Sequence, residues 1–579
     1  MSIQQESIEV PAAPSEPDTF NPPPRELESF DDYVQPRPKE LKGSALSMKL
    51  LLNYQDSLYE EFIEQYHRKY RYSPERKQWM VWHAKDDSSR GIKASTHWEW
   101  DVKGYIHEDV KQFAKDIHSR WFEPPLREGE EDNPFSERNI WEFICGALRK
   151  NITLDPVRKR VDEEQEDGTV KKVIKEIGVD PVDVALKNAS RWRQLLAKPK
   201  EAKGFVTHMT TSPEFSVLLE HFDQNPEELN TPGGLYNLRT LEHTPASYTN
   251  NVMKITTVAP DLSEKASTEL YDKLLSDAFQ GDQEMVDYFD MDMGVTLLGH
   301  QHLQQFYYLW GAAGSGKGTL MTIAQGLLNS EEDGYAVHVG AELFMSSGRN
   351  EHNTKFMQFL GKRLAVTDEI PENAQMATDV VKKTTGADPI TGRYMRENPV
   401  TYRPTHTLWF TSNYQLRVPA NEEGVWRRMR VLHTPKGKKS GERIGGLAEQ
   451  IIAQEGPAIL ARWMRAAKRY LTEGFHTPIA VLEANSAYQR SQDTVLEWLA
   501  SDEVSTGDDS EHTTGKAARK AYLSWCKDEG RTPAAPQEFS TKLREILGEG
   551  SYVRTQLANG ARPRVYLGLK LEGTTFSMF

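Results

Sequence analysis

Apolar residues recur with helical spacing in the first half of the chain and with strand-like spacing near its middle. From about residue 45 to 72 they fall every three or four positions, which predicts an amphipathic helix or two. Similar patterns, HEDVKQFAKDIHSRWF and NIWEFICGALRK, lie between about residues 75 and 280, and the charged segments PPLREGEEDNP and RVDEEQEDGTVKK are predicted loops. Alternating apolar residues around the Pro-Gly-Gly turn of LNTPGGLYNLRT then predict short strands.

The pattern changes at about residue 281 to an apolar strand, a glycine loop, a helix and further apolar strands. This order predicts an α/β nucleotide-binding core over residues 281–440. Residues 441–505 return to helical spacing and predict a helical lid or linker. Residues 506–579 give two helices and then alternating residues, a pattern that resembles a winged helix. The predicted fold is therefore α/β, with a mainly helical N-terminal domain over residues 46–280.

Composition limits the class of protein and its location. Residues 1–45 contain PAAPSEP, NPPPRE and VQPRPKE and few aliphatic side chains, which predicts a disordered, proline-rich acidic tail. The N-terminus lacks the apolar segment of a secretory signal, and no run approaches the roughly 20 apolar residues of a membrane span. We therefore predict a cytoplasmic protein without a membrane partner.

Charge and cysteine content exclude two further classes. The formal net charge of -14 argues against a protein that coats nucleic acid with its whole surface, although a narrow basic channel remains compatible with it. Cys145 and Cys526 are the only cysteines in the sequence and lie in separate predicted domains. Two such thiols rule out a disulfide framework and a cysteine-rich zinc module.

A phosphate-binding loop follows the first predicted strand of the core. The strand Phe306–Trp310 leads directly into GAAGSGKGT and an apolar helix. In such a P-loop the glycines turn backbone N–H groups onto phosphates, the helix N-terminus adds positive potential, and the lysine reaches the β and γ phosphates. The predicted nucleotide-binding residues are Gly311, Gly314, Ser315, Gly316, Lys317, Gly318 and Thr319. Gly318 stands where Ser or Thr usually binds magnesium, so that ligand is either Thr319 or water.

Two adjacent carboxylates follow the strand RLAVT. Ligands bind at the carboxyl ends of parallel strands, where Asp368 and Glu369 would lie. We expect Asp368 to hold Mg²⁺ through water and Glu369 to polarise the attacking water. An acidic strand end that faces solvent is the alternative for either residue alone. The pair downstream of a P-loop favours the catalytic interpretation.

A third apolar strand, Thr405–Ser412, ends on Asn413, whose amide is placed to sense the γ phosphate and orient the water. Farther along, Arg427 and Arg428 lie in the cluster WRRMRV, where one guanidinium would reach a neighbour's nucleotide as an arginine finger. Surface cations are the ordinary explanation of such a cluster. A finger that acts between subunits requires an oligomer, and a head-to-tail ring supplies every site with one.

The segment between the carboxylates and Asn413 predicts a cationic hairpin. KKTTGADPITGRYMRENP begins with a lysine pair and has Arg396, Glu397 and Asn398 at the predicted tip. Repeated around a ring, such hairpins would line a pore and bind a single strand through phosphates and base stacking. Lys383, Arg393 and Arg396 are the predicted DNA contacts, and a solvated hairpin is the alternative.

The order of these motifs resembles the superfamily 3 helicases of the phage and plasmid primase-helicase family, relatives of the poxvirus primase-helicase. KKTTGADPITGRYMRENPVTYRPTHTLWFTSN and EEGVWRRMRV are the most specific part, and LNTPGGLYNLRT looks like the end of that family's preceding helical domain. The resemblance covers about residues 80 to 579. It implies that residues 281–440 form an AAA+-like ATPase core.

The resemblance implies an ATP- and Mg²⁺-dependent hexameric ring that moves 3′ to 5′ on single-stranded or forked DNA in phage or plasmid-type replication. The catalytic roles then belong to Lys317, Asp368, Glu369, Asn413 and Arg427, with Arg428 as the alternative finger. The family's tail is often a winged helix, which would make residues 536–547 the recognition helix. Arg554, Arg562 and Arg564 would then lie on the wing and contact DNA.

Many members of that family carry a primase domain before the helical region. Fewer than 80 residues precede the region here, and the short-spaced acidic pair Asp290 and Asp292 lies on a predicted helix. We therefore expect no primer synthesis and a separate primase or polymerase as partner. Two other functions remain open: an ATP-dependent origin initiator or loader, and a non-enzymatic DNA-binding protein with a structural nucleotide site.

Overall fold

The computed structural model describes residues 55–119, 142, 145–146, 149–150, 154, 156–165, 169–300, 303–346, 353–372, 374–394, 397, 399–419, 422–439, 441, 444–474, 476–507, 511–531, 533–555 and 562–571. The predicted tail of residues 1–45 and the predicted tip residue Arg396 lie outside these ranges. The chain divides into two compact units, residues 1–61 with 114–195 and residues 62–113 with 196–579.

Short strands and helices precede the large sheet. In chain order they are α1 (Gln55–Tyr66), β1 (Tyr70–Ser73), β2 (Gln78–Val81), β3 (Glu99–Trp100), α2 (Tyr105–Ser119), β4 (Val157–Glu164), β5 (Val170–Ile177), α3 (Pro181–Leu196), α4 (Pro199–Met209), β6 (Glu228–Thr231), β7 (Gly234–Asn237), β8 (His243–Thr244), α5 (Glu269–Ala278) and α6 (Gln283–Thr296). Strands β1 to β3 form one antiparallel sheet and β6 to β8 another. The predicted strands around the Pro-Gly-Gly turn are thereby confirmed.

The first unit contains a correction to the sequence interpretation. The charged segment predicted as a loop instead forms the antiparallel hairpin of β4 and β5, with Val157 opposite Ile177 and Glu164 opposite Val170. Charged side chains occupy both faces of these strands, so the apolar alternation that identifies a half-buried strand is absent. The loop prediction was wrong for this reason.

A five-stranded parallel sheet forms the centre of the second unit. The elements of this region, in chain order, are β9 (Phe306–Gly311), α7 (Lys317–Leu327), β10 (Ala336–His338), β11 (Leu364–Thr367), α8 (Thr378–Thr384), β12 (Ile390–Arg393), β13 (Pro399–Tyr402), β14 (Thr407–Ser412), α9 (Glu423–Trp426) and β15 (Met429–Thr434). The strand order is β10-β11-β14-β9-β15, and β12 pairs with β13 as a separate hairpin. The α/β prediction with a parallel sheet is confirmed.

Both faces of the large sheet are covered, because apolar side chains alternate between two cores along each strand. Tyr307 and Leu309 of β9 pack on one side with helices α5, α6 and α7. Phe306 and Tyr308 pack on the other side with the β12–β13 hairpin. Trp409 of β14 stacks on Tyr307 with ring centroids 4.4 Å apart. Residues of both faces are buried, which explains why these strands are continuous apolar runs in the sequence.

The C-terminal part contains a long helix and a small α/β module. The elements are α10 (Leu447–Glu473), α11 (Ile479–Ser491), α12 (Thr494–Leu499), β16 (Val504–Thr506), β17 (His512–Thr514), α13 (Gly515–Asp528), α14 (Pro536–Leu547), β18 (Tyr552–Arg554), β19 (Arg564–Leu567) and β20 (Leu569–Leu571). Helix α14 has the bounds that the resemblance assigned to a recognition helix. Strands β17, β19 and β18 form a three-stranded antiparallel sheet beside it.

The predictions about membrane spans and cysteines concern every domain of the chain. Of the helices in the described ranges, none has the length and apolar composition needed to cross a membrane. Cys145 and Cys526 are both buried, and no disulfide joins them in the part of the chain that the structure describes. The predicted domain boundaries, the AAA+-like core and the winged helix stay predictions at this stage.

Candidate functional site

The loop between β9 and α7 requires glycine at two positions. Gly311 has φ +151°, and a Cβ there would lie 2.0 Å from the carbonyl oxygen of Thr434 on β15. Gly316 precedes the first residue of α7 with φ +93°, and a Cβ there would lie 3.0 Å from Leu274. A side chain at either position would collide or be strained. The loop is thus held close to the neighbouring strand end, with the N-terminus of an 11-residue helix behind it.

Lys317 lies folded into this loop as a buried cation. Its Nζ donates to the carbonyl oxygens of Gly311 at 2.9 Å and Ala312 at 2.7 Å, and to Ser315 Oγ at 3.2 Å. Within the described residues it forms no ion pair. Burial lowers the pKa of Lys317 to about 8, because carbonyl dipoles compensate only part of the lost hydration of an ammonium group.

The residues of the loop fit an anion such as a phosphate group. A buried ammonium held by neutral oxygens, beside a helix N-terminus, favours an anion. A Cβ at Gly318 would meet nothing within 4 Å, so the structure has room for the Ser or Thr that usually occupies this position. Gly318 is exposed and Thr319 is half-buried. The choice between Thr319 and water as the magnesium ligand therefore stays open.

A segment that the sequence analysis did not single out closes one side of the loop. Residues 435–438 follow β15, and the backbone N–H of Lys438 donates to the carbonyl oxygen of Gly314 at 3.1 Å. A Cβ at Gly437 would lie 2.0 Å from the carbonyl oxygen of Ala313. Lys438 Nζ also lies 2.6 Å from Asp277 of α5. The KGKK sequence was a visible signal for this contact, because it places a glycine among lysines shortly after a core strand.

The two predicted carboxylates lie at the same edge of the sheet as the loop. Asp368 and Glu369 follow β11, which pairs with β14, and β14 pairs with β9 in parallel register. Asp368 Oδ1 lies 2.6 Å from Nε2 of His338, the last residue of β10, and both side chains are about half exposed. Sequence reasoning missed His338, although its place at a strand end was a visible signal.

Glu369 has an unusual backbone conformation. Its φ is +52°, in the left-handed region, and its side chain is exposed. For a non-glycine residue this conformation costs on the order of 1 kcal/mol and is enriched at functional sites. Asp368 is paired with His338, whereas the side chain of Glu369 is exposed to solvent.

Asn413 follows β14, the strand between β9 and β11, and its side chain is exposed. The turn after it is fixed from below: Tyr308 donates its hydroxyl to the carbonyl oxygen of Tyr414 at 2.5 Å, and Tyr414 N–H donates to Ser412 Oγ at 3.0 Å. Parallel pairing thus brings the predicted P-loop, carboxylates and asparagine to one edge.

The two predicted finger arginines lie at the other end of the sheet. Both precede β15, whose residues run parallel to β9 with Met429 opposite Phe306 and Thr434 opposite Gly311. Arg427 is exposed and has no side-chain partner within the described residues. Arg428 is half-buried and donates to the carbonyl oxygen of Gly424 at 2.6 Å and to Gln304 Oε1 at 3.0 Å. Burial lowers the pKa of Arg428.

The predicted hairpin is present as β12 and β13, with Ile390 opposite Tyr402 and Arg393 opposite Pro399. Arg393 and Lys383 are exposed, and Lys383 Nζ lies 4.0 Å from the ring centroid of Phe356. Two of the three DNA contacts predicted in this segment are therefore accessible to solvent.

The three C-terminal arginines are exposed, and two of them pair across strands. Arg554 of β18 lies directly opposite Arg564 of β19, whose guanidinium also lies 5.6 Å from the ring centroid of Tyr552. Like charges at directly opposite positions destabilise a strand pair. An anionic partner would remove this repulsion.

The acidic pair weighed as a primase site lies inside a helix of the core. Asp290 and Asp292 are both buried on α6. Asp290 is held by Arg462 and by the hydroxyl of Tyr271, and burial raises its pKa to about 6. Burial also raises the pKa of Asp292. The contacts with Arg462 and Tyr271 give Asp290 a structural role in the core.

Two family models match the sequence. One, described as D5 N terminal like, matches residues 60–280. The other, described as a family of unknown function (DUF5906), matches residues 309–428. The second range includes the phosphate loop, the strand-end carboxylates, Asn413 and the two arginines before β15.

One curated relative is a protein of Acanthamoeba polyphaga mimivirus named as a putative helicase, which is 25% identical over 153 residues. The match covers 26% of this chain and 16% of the relative, so the chain spans a small part of that protein's length. Two solved structures titled as the NrS-1 C-terminal region align with 69% of this chain and 93% of their own chains. Their identities are 12% and 13% and their TM-scores 0.37 and 0.33, too low to support an inference.

Proposed function

We propose that this chain is the ATP-driven motor of a DNA helicase, with residues 281–440 as an AAA+-like core that works in a head-to-tail ring. The observation that supports it most is the buried Lys317 ammonium, which has only neutral oxygen partners at a helix N-terminus. The carboxylates after β11 lie at the same edge of the sheet. The D5-like match and the mimivirus relative's name fit a primase-helicase family.

Each residue of the edge has a part in hydrolysis. Bound ATP with Mg²⁺ supplies the phosphoanhydride and a cation that neutralises charge on the phosphates. Lys317 and the loop N–H groups hold the phosphate oxygens in place. Asp368, beside His338, would hold the magnesium ion, and Glu369 would accept the proton of the attacking water. Asn413 orients that water from the neighbouring strand end.

The position of Arg427 supports a site shared between two copies. Arg427 precedes β15, and the loop contacts the far end of the same strand at Thr434. Five residue steps along a strand cover roughly 16 Å, and this distance is longer than an arginine side chain. In its own chain Arg427 therefore cannot reach the phosphates, and it can serve only a neighbour. A ring that closes head to tail supplies each site with one finger.

DNA binding would use the exposed cations. The hairpin of β12 and β13 presents Arg393 on the motor, and Arg554 and Arg564 are on the C-terminal module, which we propose is a winged helix with α14 as recognition helix. Translocation from 3′ to 5′ on single-stranded DNA rests on the family resemblance alone. A separate primase or polymerase is the proposed partner.

Strand displacement on forked duplexes tests this function directly. With ATP and Mg²⁺, the wild-type protein should unwind a fork that has a 3′ tail and leave one with only a 5′ tail intact. Lys317→Ala should abolish unwinding, because the phosphates lose their buried cation. A protein that hydrolyses ATP slowly, responds to duplex and never unwinds would instead be a loader, a function that the C-terminal arginines also suit.

The pKa of Lys317 predicts a pH dependence of nucleotide binding. In the free protein the group titrates near pH 8, and bound phosphates favour its charged form and raise the pKa. Binding near pH 8 should therefore take up protons, and affinity should fall as pH rises above about 8. Below that pH the group is already charged, and affinity should be insensitive to it.

Calorimetry of ATP binding at pH 8 in two buffers of different ionisation enthalpy measures this proton uptake. Lys317→Arg is the matched control, since a guanidinium stays charged throughout this range. The observed enthalpies should differ between buffers for the wild type and coincide for the variant. Equal enthalpies for the wild type would contradict the prediction.

A further inference from the structure

Arg76 joins the small N-terminal sheet to the turn of the β12–β13 hairpin. It lies in the turn between β1 and β2, where its N–H donates to Ser73 Oγ at 3.2 Å. Its guanidinium carbon lies 4.0 Å from the ring centroid of Tyr394 and 5.1 Å from that of Trp100. The side chain is 15% exposed. A long cationic side chain this far withdrawn from solvent, between two aromatic rings, is held in one position.

Two carboxylates complete the contact. Arg76 Nε lies 3.5 Å from Glu397, and Nη1 lies 3.4 Å from Glu332 in the loop after α7. Arg76 Nε and Glu397 Oε2 do not form a hydrogen bond with each other, and both atoms are buried without a hydrogen-bond partner. The pairing is thus a charge contact, and the stacked rings set the orientation of the guanidinium.

The contact lies at the turn end of the hairpin, beyond the last pair of its strand ladder. The ladder stops at Arg393 opposite Pro399, and Tyr394 and Glu397 lie beyond it. At the other end, Tyr402 donates its hydroxyl to the carbonyl oxygen of Phe356. An isolated two-stranded hairpin is marginally stable. Tyr402 therefore anchors the base of the hairpin, and Arg76 anchors its turn.

We infer that Arg76 is a positioning residue for DNA binding: it holds the β12–β13 hairpin in the conformation that receives a single strand. This inference rests on the proposed function, in which that hairpin contacts DNA. A hairpin already ordered before DNA arrives avoids the entropy loss of ordering on binding. Loss of the anchor should therefore weaken DNA binding without altering the nucleotide site.

The test measures ATP hydrolysis against single-stranded DNA concentration for Arg76→Ala, Arg76→Lys, Tyr394→Ala and Tyr394→Phe. Arg76→Ala and Tyr394→Ala should raise the half-saturating DNA concentration about tenfold, the change expected for one desolvated cation–π contact. Arg76→Lys should raise it less, because an ammonium keeps a cation over the ring but loses the planar guanidinium. Basal hydrolysis and the KM for ATP should stay at wild-type values. Tyr394→Phe keeps the ring but loses the hydroxyl that forms a hydrogen bond with Arg76, so it should raise the half-saturating concentration less than Tyr394→Ala does.

Arg90→Ala is the matched control, because Arg90 belongs to the same N-terminal region and pairs with Asp87 and Asp109, away from the hairpin. It should leave DNA half-saturation unchanged. Amide hydrogen exchange of residues 388–404 in the DNA-free protein gives a second readout that needs no activity. Exchange there should be faster in Arg76→Ala and Arg76→Lys and unchanged in Arg90→Ala.

The outcomes separate the inference from the proposed function. If DNA does not stimulate the wild type, the proposed function fails, and the exchange measurement still decides whether Arg76 orders the hairpin. If DNA does stimulate the wild type but the Arg76 variants keep its half-saturation or its exchange rate, the inference is wrong. A variant that unfolds is replaced in this comparison by Tyr394→Ala against Tyr394→Phe.

Discussion

Arg427→Ala should lower ATP hydrolysis in the presence of single-stranded DNA by roughly a thousandfold or more, the effect of removing an arginine finger. Arg427 is exposed and has no side-chain partner within the described residues, so its loss removes little that holds the fold together. The melting temperature and the affinity for ATP should both stay near wild type. Steady-state hydrolysis, thermal unfolding and nucleotide binding measured on one preparation check the three expectations together.

Arg428→Ala is the control that separates a finger from a structural arginine. Arg428 donates to Gly424 and Gln304, and these bonds from a charged donor contribute about 1.5–3 kcal/mol each at most. This variant should therefore have a lower melting temperature, and its rate of ATP hydrolysis should fall only as far as the fraction of folded protein falls. If Arg428→Ala instead lost hydrolysis at unchanged stability, the alternative finger assignment would be the correct one.

Mixed rings test whether the finger acts between copies. Equal amounts of Lys317→Ala and Arg427→Ala, each inactive alone, should regain hydrolysis on mixing, since about one interface in four then joins an intact loop to an intact finger. No recovery in rings shown to contain both variants would contradict a shared site.

The local parts of the candidate site were predictable from the sequence. The strand predicted at Phe306–Trp310 is β9, the carboxylates do follow a buried strand, and Asn413 does follow another. These are short-range features: apolar runs buried on both faces, glycines at a tight turn and polar residues at strand ends. Each is set by neighbours within about ten positions, so one sequence is enough to recognise them.

Contacts between distant segments were not predictable in the same way. The insertion of β14 between β9 and β11 follows from the packing of whole strands. His338 beside Asp368, Gly437 over the loop and Arg76 at Tyr394 each join positions that are remote in sequence. The periodicity of apolar residues along a chain does not indicate which remote positions come into contact. The roles of the predicted residues in the candidate site stay predictions, and the neighbours His338, Gly437 and Arg76 emerged only from the fold.

The β4–β5 hairpin shows a second limit. Its strands combine Lys, Glu and Asp with scattered Val and Ile, so no face alternates cleanly. Val170 and Ile174 are each 63% exposed, which means that burial does not impose a pattern there. Periodicity identifies an element only when one of its faces packs against a core.

Glu369→Gln should bind ATP with wild-type affinity and hydrolyse it some hundredfold to ten-thousandfold more slowly, the range for loss of a general base. The amide keeps the size of the side chain, so the left-handed turn at φ +52° is undisturbed. It removes only the capacity to accept the proton of water. Single-turnover hydrolysis with pre-bound ATP measures this step apart from binding, and the variant should retain ATP on the ring.

Glu372→Gln is the matched control for the same change of charge. Glu372 is an exposed carboxylate three residues farther along the chain, beyond the strand end. It should hydrolyse ATP at the wild-type rate, which would assign the effect to the position of Glu369 and exclude a general change of surface charge. Wild-type hydrolysis by Glu369→Gln itself would have a different meaning. The nucleotide site would then have no use for a base at this strand end, and a DNA-binding protein with a structural nucleotide would describe the chain better than a motor.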